Sequence, residues 1–218
     1  MSVGLLVYLA FAFGVLGFLA RDELRLRLMM LCANSLYMTY YFFVAERPLW
    51  DAIFANTALA LVNLWMSGVV LIERTTLGMT VEKAQIYRQF PLLSPGQFRR
   101  IMKLAHILEL GDRKVLTVEQ TPLNEIFYMV SGSVDVTKQG ATFTLEGPRF
   151  VGEVAFLLSR PASATVVAAK GSRVITWNSA DLTKLTKRVK GLDVAMFATL
   201  NRDLADKVAN SDPTRELQ

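Results

Sequence analysis

Long apolar runs dominate the first third of the chain. Residues 3–20 and 28–45 carry no charge, and residues 49–72 carry only Asp51, near their start. An apolar stretch of about 20 residues is long enough to cross the roughly 30 Å hydrocarbon core of a bilayer as a helix. The pattern therefore predicts three transmembrane helices within residues 1–73.

The links between these runs predict how the helices are oriented. Arg21, Arg25 and Arg27 lie in the first link, whereas the second contains only Arg47. Because basic residues favour the cytoplasmic side, we expect the N-terminus outside, the first link inside, the second link outside and the C-terminal domain in the cytoplasm. The first residues contain no Lys or Arg, so a retained helix is favoured over a signal peptide. We expect a multi-pass protein of a bacterial inner membrane.

Three asparagines interrupt the apolar runs at Asn34, Asn56 and Asn63. They could form a conduction site, or they could form hydrogen bonds between helices or across a dimer. Because the predicted spans bury no Asp, Glu, Lys or Arg, a transport pathway is disfavoured.

A connector, residues 74–92, leads to a segment with a different pattern, residues 93–210. The connector is predicted to be helical over residues 81–90. Ser94 and Gln97 form a capping-box pattern, and apolar residues then recur at helical spacing as far as Leu108, which places His106 on this helix.

From Val115 onward, short apolar stretches alternate with glycine- and proline-containing turns. Strands are expected at residues 115–118, 126–130, 134–136, 142–145, 150–151, 165–168 and 174–177. Many short strands with regular turns favour a closed sandwich or roll. The fold class is therefore α+β, a three-helix transmembrane bundle followed by a β-roll (jelly roll) with flanking helices.

Two helices are predicted after the strands, at residues 180–189 and 192–208, with a start signal at residues 179–181. The last helix has one apolar face, which could pack on the roll, close over a pocket or pair with a second subunit to give a homodimer. Its apolar residues recur every fourth position, at Leu192, Met196, Leu200, Leu204 and Val208. The polar residues 211–218 are predicted to be a disordered tail.

Composition excludes several functions. The 218 residues are 52% hydrophobic with a mean hydropathy of +0.33, which fits a chain with a membrane part and a soluble part. With one cysteine and one histidine, a disulfide framework and a multi-histidine metal site are excluded. No nucleophile–base set is evident, so neither an enzyme nor a metal site is expected. The net charge of +5 comes without a dense basic cluster in the soluble part, so no nucleic acid polymer is expected as partner.

The stretch from Val151 to Val166 is the strongest candidate for a binding site. It contains one apolar run opened by Gly152 and Glu153, a polar turn around Arg160, and a second run opened by small residues. Small residues leave backbone N–H groups uncovered, and successive N–H groups can hold an anion. The candidate ligand-binding residues are Gly152, Glu153, Val154, Ala155, Arg160, Ala162, Ser163 and Ala164.

This stretch resembles the phosphate-binding cassette of cyclic-nucleotide-binding domains. Positions that match the family pattern are Gly152, Glu153, Ala155, Leu157, Pro161, Ala164, Thr165 and Val166. Residues 125–136 are similar to the family's strand-turn-strand, and the resemblance covers residues 93–210. Three membrane helices, a connector and this domain also resemble the Popeye domain proteins and their bacterial relatives, although the Popeye motifs Asp-Ser-Pro-Glu and Phe-Gln-Val-Thr are not in this sequence.

The resemblance implies binding of cyclic AMP or cyclic GMP and movement of a terminal helix over the base. Gly152 and Glu153 would line the ribose, and Glu153 would accept a hydrogen bond from the 2′-hydroxyl. Ala162, Ser163 and Ala164 would line the phosphate. The family's arginine is replaced by Ala162, and Arg160 is the nearest candidate for its role.

Two functions remain open. The protein is either a membrane-anchored cyclic nucleotide sensor of the Popeye kind, or a roll that has lost the nucleotide and serves as a membrane-tethered protein-interaction or dimerisation module. A third function, a roll that binds another ligand such as a lipid or an uncharged metabolite, is less favoured than these two.

Overall fold

The computed structural model describes residues 3–210, with the backbone alone at residue 210, and divides the chain into two units, Met1–Gly78 and Met79–Gln218. The tail predicted at residues 211–218 lies outside the described residues. The first unit consists of three helices: α1 (Val3–Leu19), α2 (Glu23–Phe43) and α3 (Trp50–Arg74). Three helices were predicted here, and three are found.

The start of α2 corrects one prediction. The first link was expected to extend to Arg27, but α2 begins at Glu23 and therefore includes Arg25 and Arg27. The reason is a helix cap, because the Asp22 carboxylate accepts a hydrogen bond from the Arg25 N–H at 3.0 Å. Asp22 also forms an ion pair with Arg74 at the end of α3, at 2.6 Å.

The residues buried within the first unit are mostly small or polar, and many large apolar side chains face outward. The side chains of Phe18, Phe54 and Trp65 are 78%, 65% and 69% exposed. Within residues 3–210, α3 is long and apolar enough to span a membrane, and α1 is a shorter apolar helix. The buried residues are Ala10, Gly17, Ala33, Asn34, Ser67 and Val70.

Two of the three asparagines of the first unit, Asn56 and Asn63, form side-chain hydrogen bonds within and between helices. The Asn56 amide donates to the Ala52 carbonyl of its own helix at 3.0 Å. The Asn63 side-chain oxygen accepts from the guanidinium of Arg27 on α2 at 3.5 Å, a contact that joins two helices.

The second unit begins with α4 (Val81–Tyr87) and α5 (Pro95–Met102). The predicted capping box of α5 is confirmed, with Ser94 and Gln97 bonded in both directions. The predicted continuation of α5 through His106 is wrong, because His106–Glu109 forms strand β1 and pairs with the last strand of the roll. Pairing in the tertiary structure outweighs helical spacing of the apolar residues here.

Eight strands form two four-stranded antiparallel sheets. Their orders are β1-β8-β3-β6 and β2-β7-β4-β5, which gives the β-roll predicted from the sequence. The strands are β1 (His106–Glu109), β2 (Lys114–Thr117), β3 (Glu125–Ser131), β4 (Ser133–Lys138), β5 (Ala141–Glu146), β6 (Arg149–Val151), β7 (Thr165–Ala168) and β8 (Arg173–Asn178).

The sheet β1-β8-β3-β6 separates two hydrophobic cores. Phe127 and Val151 face the core between the two sheets. Tyr128 and Phe150, which are their neighbours in sequence, face a second core, formed between this sheet and the helices. Alternation along a strand explains why neighbouring residues belong to different cores. In the second core, Trp177 is fully buried and its indole N–H donates to the Ile101 carbonyl at 2.9 Å.

A short helix in the cassette, α6 (Glu153–Leu158), precedes the two last helices, α7 (Ser179–Arg188) and α8 (Leu192–Asn210). Asn178 caps α7, one residue before the predicted start signal. The apolar face predicted for α8 is divided. Its first half packs into the core of its own unit, whereas Val208 is 73% exposed. The anchoring residues are Leu192, Met196 and Leu200.

Candidate functional site

The cassette begins with a glycine that the backbone requires. Gly152 connects β6 to α6 with a φ of +85°, in the left-handed region. A Cβ added at this position would lie 3.0 Å from a terminal methyl of Leu123. Glycine therefore satisfies both the backbone conformation and the close approach of the β2–β3 loop.

The second half of the cassette is bonded to the β2–β3 loop. The Ala162 N–H donates to the Thr121 carbonyl at 2.9 Å, and the Ala162 carbonyl accepts from the Gln120 N–H at 2.8 Å. The prediction of an uncovered N–H at Ala162 is therefore wrong, because the loop already occupies this donor. The Thr117 hydroxyl also donates to the Ala164 carbonyl at 3.0 Å.

Glu153, the predicted ribose ligand, is buried and ion-paired. Its side chain is 7% exposed, and its Oε1 lies 2.6 Å from Nζ of Lys207 on α8. A buried carboxylate is costly unless it is paired, and Lys207 supplies the opposite charge. The acidic residue of the cassette is thus joined directly to the last helix.

Lys207 and Asp203 also bond to the backbone N–H and carbonyl groups at the free edge of β6. The Phe150 N–H donates to the Asp203 carboxylate at 3.2 Å, and the Phe150 carbonyl accepts from Lys207 Nζ at 2.6 Å. Asp203 and Lys207 form their own ion pair at 2.8 Å. Residues four positions apart lie on the same face of a helix, so both side chains of α8 reach one residue of the edge strand.

Tyr128 lies beside this group on the helix side of the sheet. Burial raises the pKa of its hydroxyl above the ordinary value, and the negative charge of Asp203 raises it further. Tyr128 therefore stays neutral at physiological pH and donates to the Gln89 side-chain oxygen at 3.1 Å.

The remaining predicted site residues differ in exposure. Ala155 is buried, Val154 is half-buried, and Arg160 and Ser163 are exposed. Among residues 3–210, no ion pair is formed by the Arg160 side chain and no hydrogen bond by the Ser163 hydroxyl. The structure thus brings Gly152 and Glu153 to the junction of β6, α6 and α8. It leaves the two polar side chains of the following turn at the surface.

Sequence reasoning missed the partners of Glu153. A signal was present, because Asp203 and Lys207 are charged residues four positions apart in a helix whose neighbouring turns are apolar. Their partner could not be read from the sequence, since the contact joins residues 54 positions apart.

A pocket of about 210 Å³ opens beside Ala162, between β2 and the β2–β3 loop. Pockets for small ligands usually measure about 300–1,000 Å³, so this one is small for a nucleotide. It offers room for a side chain longer than alanine at position 162. Its polar lining residues are Thr117, Thr121, Asn124 and Glu125.

Comparison with known families agrees with this geometry. Residues 108–189 match the family model of the cyclic nucleotide-binding domain, and this segment includes the whole cassette. The second unit therefore contains a β-roll like that of cyclic nucleotide-binding domains, with flanking helices. No curated protein sequence matches the chain.

Solved structures of other proteins share this fold, including the following two. A protein from Geobacter metallireducens, proposed to bind cyclic nucleotides, is 16% identical, with a TM-score of 0.52 over 60% of this chain and 98% of its own. A cyclic nucleotide-binding domain from Methylobacillus flagellatus is 15% identical, with a TM-score of 0.51 over 59% of this chain and 81% of its own. At these identities, the similarity establishes the fold.

Proposed function

We propose that the protein is a membrane-anchored regulatory protein whose second unit binds a cyclic nucleotide, cyclic AMP or cyclic GMP, at the cassette. The observation that carries the proposal is the Gly152 turn, which places a buried Glu153 at the first position of α6 within the segment that matches the family. We assign it regulation rather than catalysis. The order of its parts further supports an architecture of the Popeye kind.

In this proposal the ribose 2′-hydroxyl donates to the Glu153 carboxylate and the phosphate lies at the turn of Arg160, Ala162, Ser163 and Ala164. The exposed guanidinium of Arg160 and the exposed hydroxyl of Ser163 are the side-chain donors available there. With alanine at the family's arginine position, we expect weak binding. The test is a calorimetric titration of the full chain with each nucleotide, and the absence of binding would refute the proposal.

The distribution of apolar residues in the first unit supports its placement in a membrane. Packing through small and polar residues, with large apolar side chains outward, is characteristic of membrane helices. In an apolar 18-residue window of α3, 11% of the residues are buried, a low share that favours a lipid-facing helix over the core helix of a water-soluble bundle. We propose three spans, an N-terminus outside and a cytoplasmic second unit, in a bacterial inner membrane.

Cysteine labelling tests this topology. Cys32 is the single native cysteine, so a Cys32→Ser background permits labelling at one chosen position. In intact cells, a membrane-impermeant maleimide should label the Glu46→Cys variant in the α2–α3 link. The Lys170→Cys variant, at a side chain that is 73% exposed, should react only after permeabilisation. Equal labelling of both in intact cells would contradict the topology.

A stripe of α8 supports a homodimer. Val194 and Phe197 are 70% and 58% exposed, on the side opposite the residues anchored in the core. Apolar residues that alternate at spacings of three and four form the seam of a coiled coil, and an asparagine within it fixes register and favours two strands. The stripe, which we call the α8 seam, consists of Val194, Phe197, Asn201, Leu204 and Val208.

Substituting Phe197 by glutamate should dissociate this dimer. A charge on both copies within the seam replaces an aromatic contact and should raise the dissociation constant by at least roughly 30-fold. Light scattering of the full chain in detergent measures the change. The control is Val81→Glu, at a side chain that is 78% exposed on α4. If Phe197→Glu leaves the mass unchanged, the dimer does not form through this seam.

A second candidate function is a ligand-free interaction module. Two observations favour it: the cassette has alanine at position 162, and Glu153 already has Lys207 as its partner. Both candidates share the membrane anchor and the α8 seam. They differ in the nucleotide titration, in which only the sensor shows saturable binding.

A further inference from the structure

We infer that Lys207 is a latch that holds the C-terminal half of α8 against the cassette, and that a nucleotide engages Glu153 only by displacing Lys207. This inference concerns the regulation of the proposed nucleotide site and rests on the proposed function. The resemblance to the family implies a terminal helix that closes over the base. The geometry here shows a terminal helix that is docked against the cassette through the contact of Lys207 with Glu153.

In this position, the Lys207 ammonium group has an acceptor for each of its N–H donors. An ammonium group has three N–H donors, and Lys207 Nζ lies within bonding distance of three oxygens. These belong to Glu153 at 2.6 Å, the Phe150 carbonyl at 2.6 Å and Asp203 at 2.8 Å. The Lys207 side chain is 22% exposed, so the ion pair with Glu153 is largely shielded from water and salt.

The contacts of Asp203 and Lys207 hold the C-terminal part of α8, in which no described residue belongs to the hydrophobic core. The fully or nearly fully buried residues of α8 end at Leu200, which is 0% exposed. Beyond it, Ala205, Val208 and Ala209 are exposed, and Asp203 and Lys207 bond to β6 and Glu153. Loss of the latch should therefore free residues 201–210, while residues 192–200 remain anchored by their apolar contacts.

A ribose hydroxyl and Lys207 compete for the same carboxylate. Glu153 can remain buried only with a donor beside it, and the 2′-hydroxyl and the ammonium group are alternative donors. When the hydroxyl takes this place, Lys207 loses the closer of its two carboxylate partners, and the carbonyl of Phe150 at the edge of β6 loses its lysine donor. Leu204 and Val208 belong to the released segment, so ligand binding would change the second half of the α8 seam.

Hydrogen–deuterium exchange of the full chain in lipid nanodiscs tests the latch without nucleotide. The Lys207→Met variant keeps an unbranched side chain of similar length and removes the charge. We expect amides of residues 201–210 to exchange at least about tenfold faster in this variant than in the wild type, with residues 192–200 unchanged. The matched control is Lys184→Met, at a lysine that is 74% exposed and paired only with an exposed Asp181 among the described residues. Lys207→Arg keeps the charge and should retain the slow exchange.

The same samples titrated with cyclic AMP and cyclic GMP test the competition. We expect saturating nucleotide to speed exchange of residues 201–210 in the wild type. We expect Lys207→Met to bind nucleotide roughly tenfold more tightly than the wild type, because no free energy is spent on breaking the contact between Lys207 and Glu153. Slow exchange in Lys207→Met, or protection of residues 201–210 by bound nucleotide, would overturn the latch. If neither the wild type nor Lys207→Met binds nucleotide, the proposed function is refuted, and so is the release of residues 201–210 by nucleotide. The exchange rates of Lys207→Met without nucleotide still decide whether Lys207 holds the helix.

Discussion

Replacing Ala162 by arginine is expected to tighten binding of cyclic AMP by roughly 100- to 10,000-fold. The arginine would face the phosphate with two parallel N–H donors. Charge-assisted hydrogen bonds contribute about 1.5–3 kcal/mol each, so a bidentate pair amounts to roughly 3–6 kcal/mol. At about 1.4 kcal/mol for each factor of ten, this gives the expected range.

The surroundings of Ala162 can accommodate the longer side chain. Ala162 is 4% exposed, but it lines the pocket of about 210 Å³ beside the β2–β3 loop. The backbone bonds of Ala162 to Gln120 and Thr121 involve no side-chain atom of residue 162, so the substitution leaves them in place.

Calorimetric titration of the full chain measures the gain. Ala162→Met is the matched control, since it fills the same pocket with an unbranched side chain and adds no charge. Tighter binding in the arginine variant alone would show that the cassette is otherwise intact. Equal affinities in the wild type and both variants would mean that position 162 does not face the phosphate, and the proposed site would have to be abandoned.

Replacing Gly132 by alanine is expected to lower the free energy of unfolding of the second unit by on the order of 3 kcal/mol or more. Gly132 joins β3 to β4 with a φ of +100°. An added Cβ would lie 2.3 Å from the Ser172 hydroxyl oxygen and 2.8 Å from the Ser172 Cα. The backbone of Ser172 cannot easily retreat, because its carbonyl accepts from the Leu110 N–H at 2.9 Å.

Gly140 provides a control with the same backbone requirement and no steric conflict. Its φ is +86°, and no heavy atom lies within 4 Å of an added Cβ. Gly140→Ala should therefore cost only the conformational strain, about 1–2 kcal/mol. Differential scanning calorimetry of the full chain compares the two variants. A loss no larger at Gly132 than at Gly140 would contradict the packing of the β3–β4 turn against Ser172.

Local patterns were sufficient to predict much of the roll. Short alternating strands gave β2 to β8 within a few residues, and Ser94 and Gln97 located the start of α5 because capping depends on neighbours in the chain. The cassette was found through Gly152 and Glu153, whose order reflects a tight turn followed by a helix. These features depend on contacts close in sequence.

The rest depends on contacts that are distant in sequence. β1 has the apolar spacing of a helix and becomes a strand because it pairs with β8, about 70 residues later, as in the pair His106 and Thr176. The bond from Lys207 to Glu153 and the loop bonds at Ala162 likewise join separate elements. The sequence therefore located the candidate site, whereas its closed arrangement required the structure.

The most direct test of the account is a calorimetric titration of the full wild-type chain with cyclic AMP and cyclic GMP up to about 1 mM, a concentration that detects interactions as weak as roughly −4 kcal/mol. We expect saturable heat for at least one of the two nucleotides and none for 5′-AMP, whose phosphate is not closed into a ring. The absence of saturable heat for both cyclic nucleotides would contradict nucleotide binding and leave a membrane-tethered interaction module as the function.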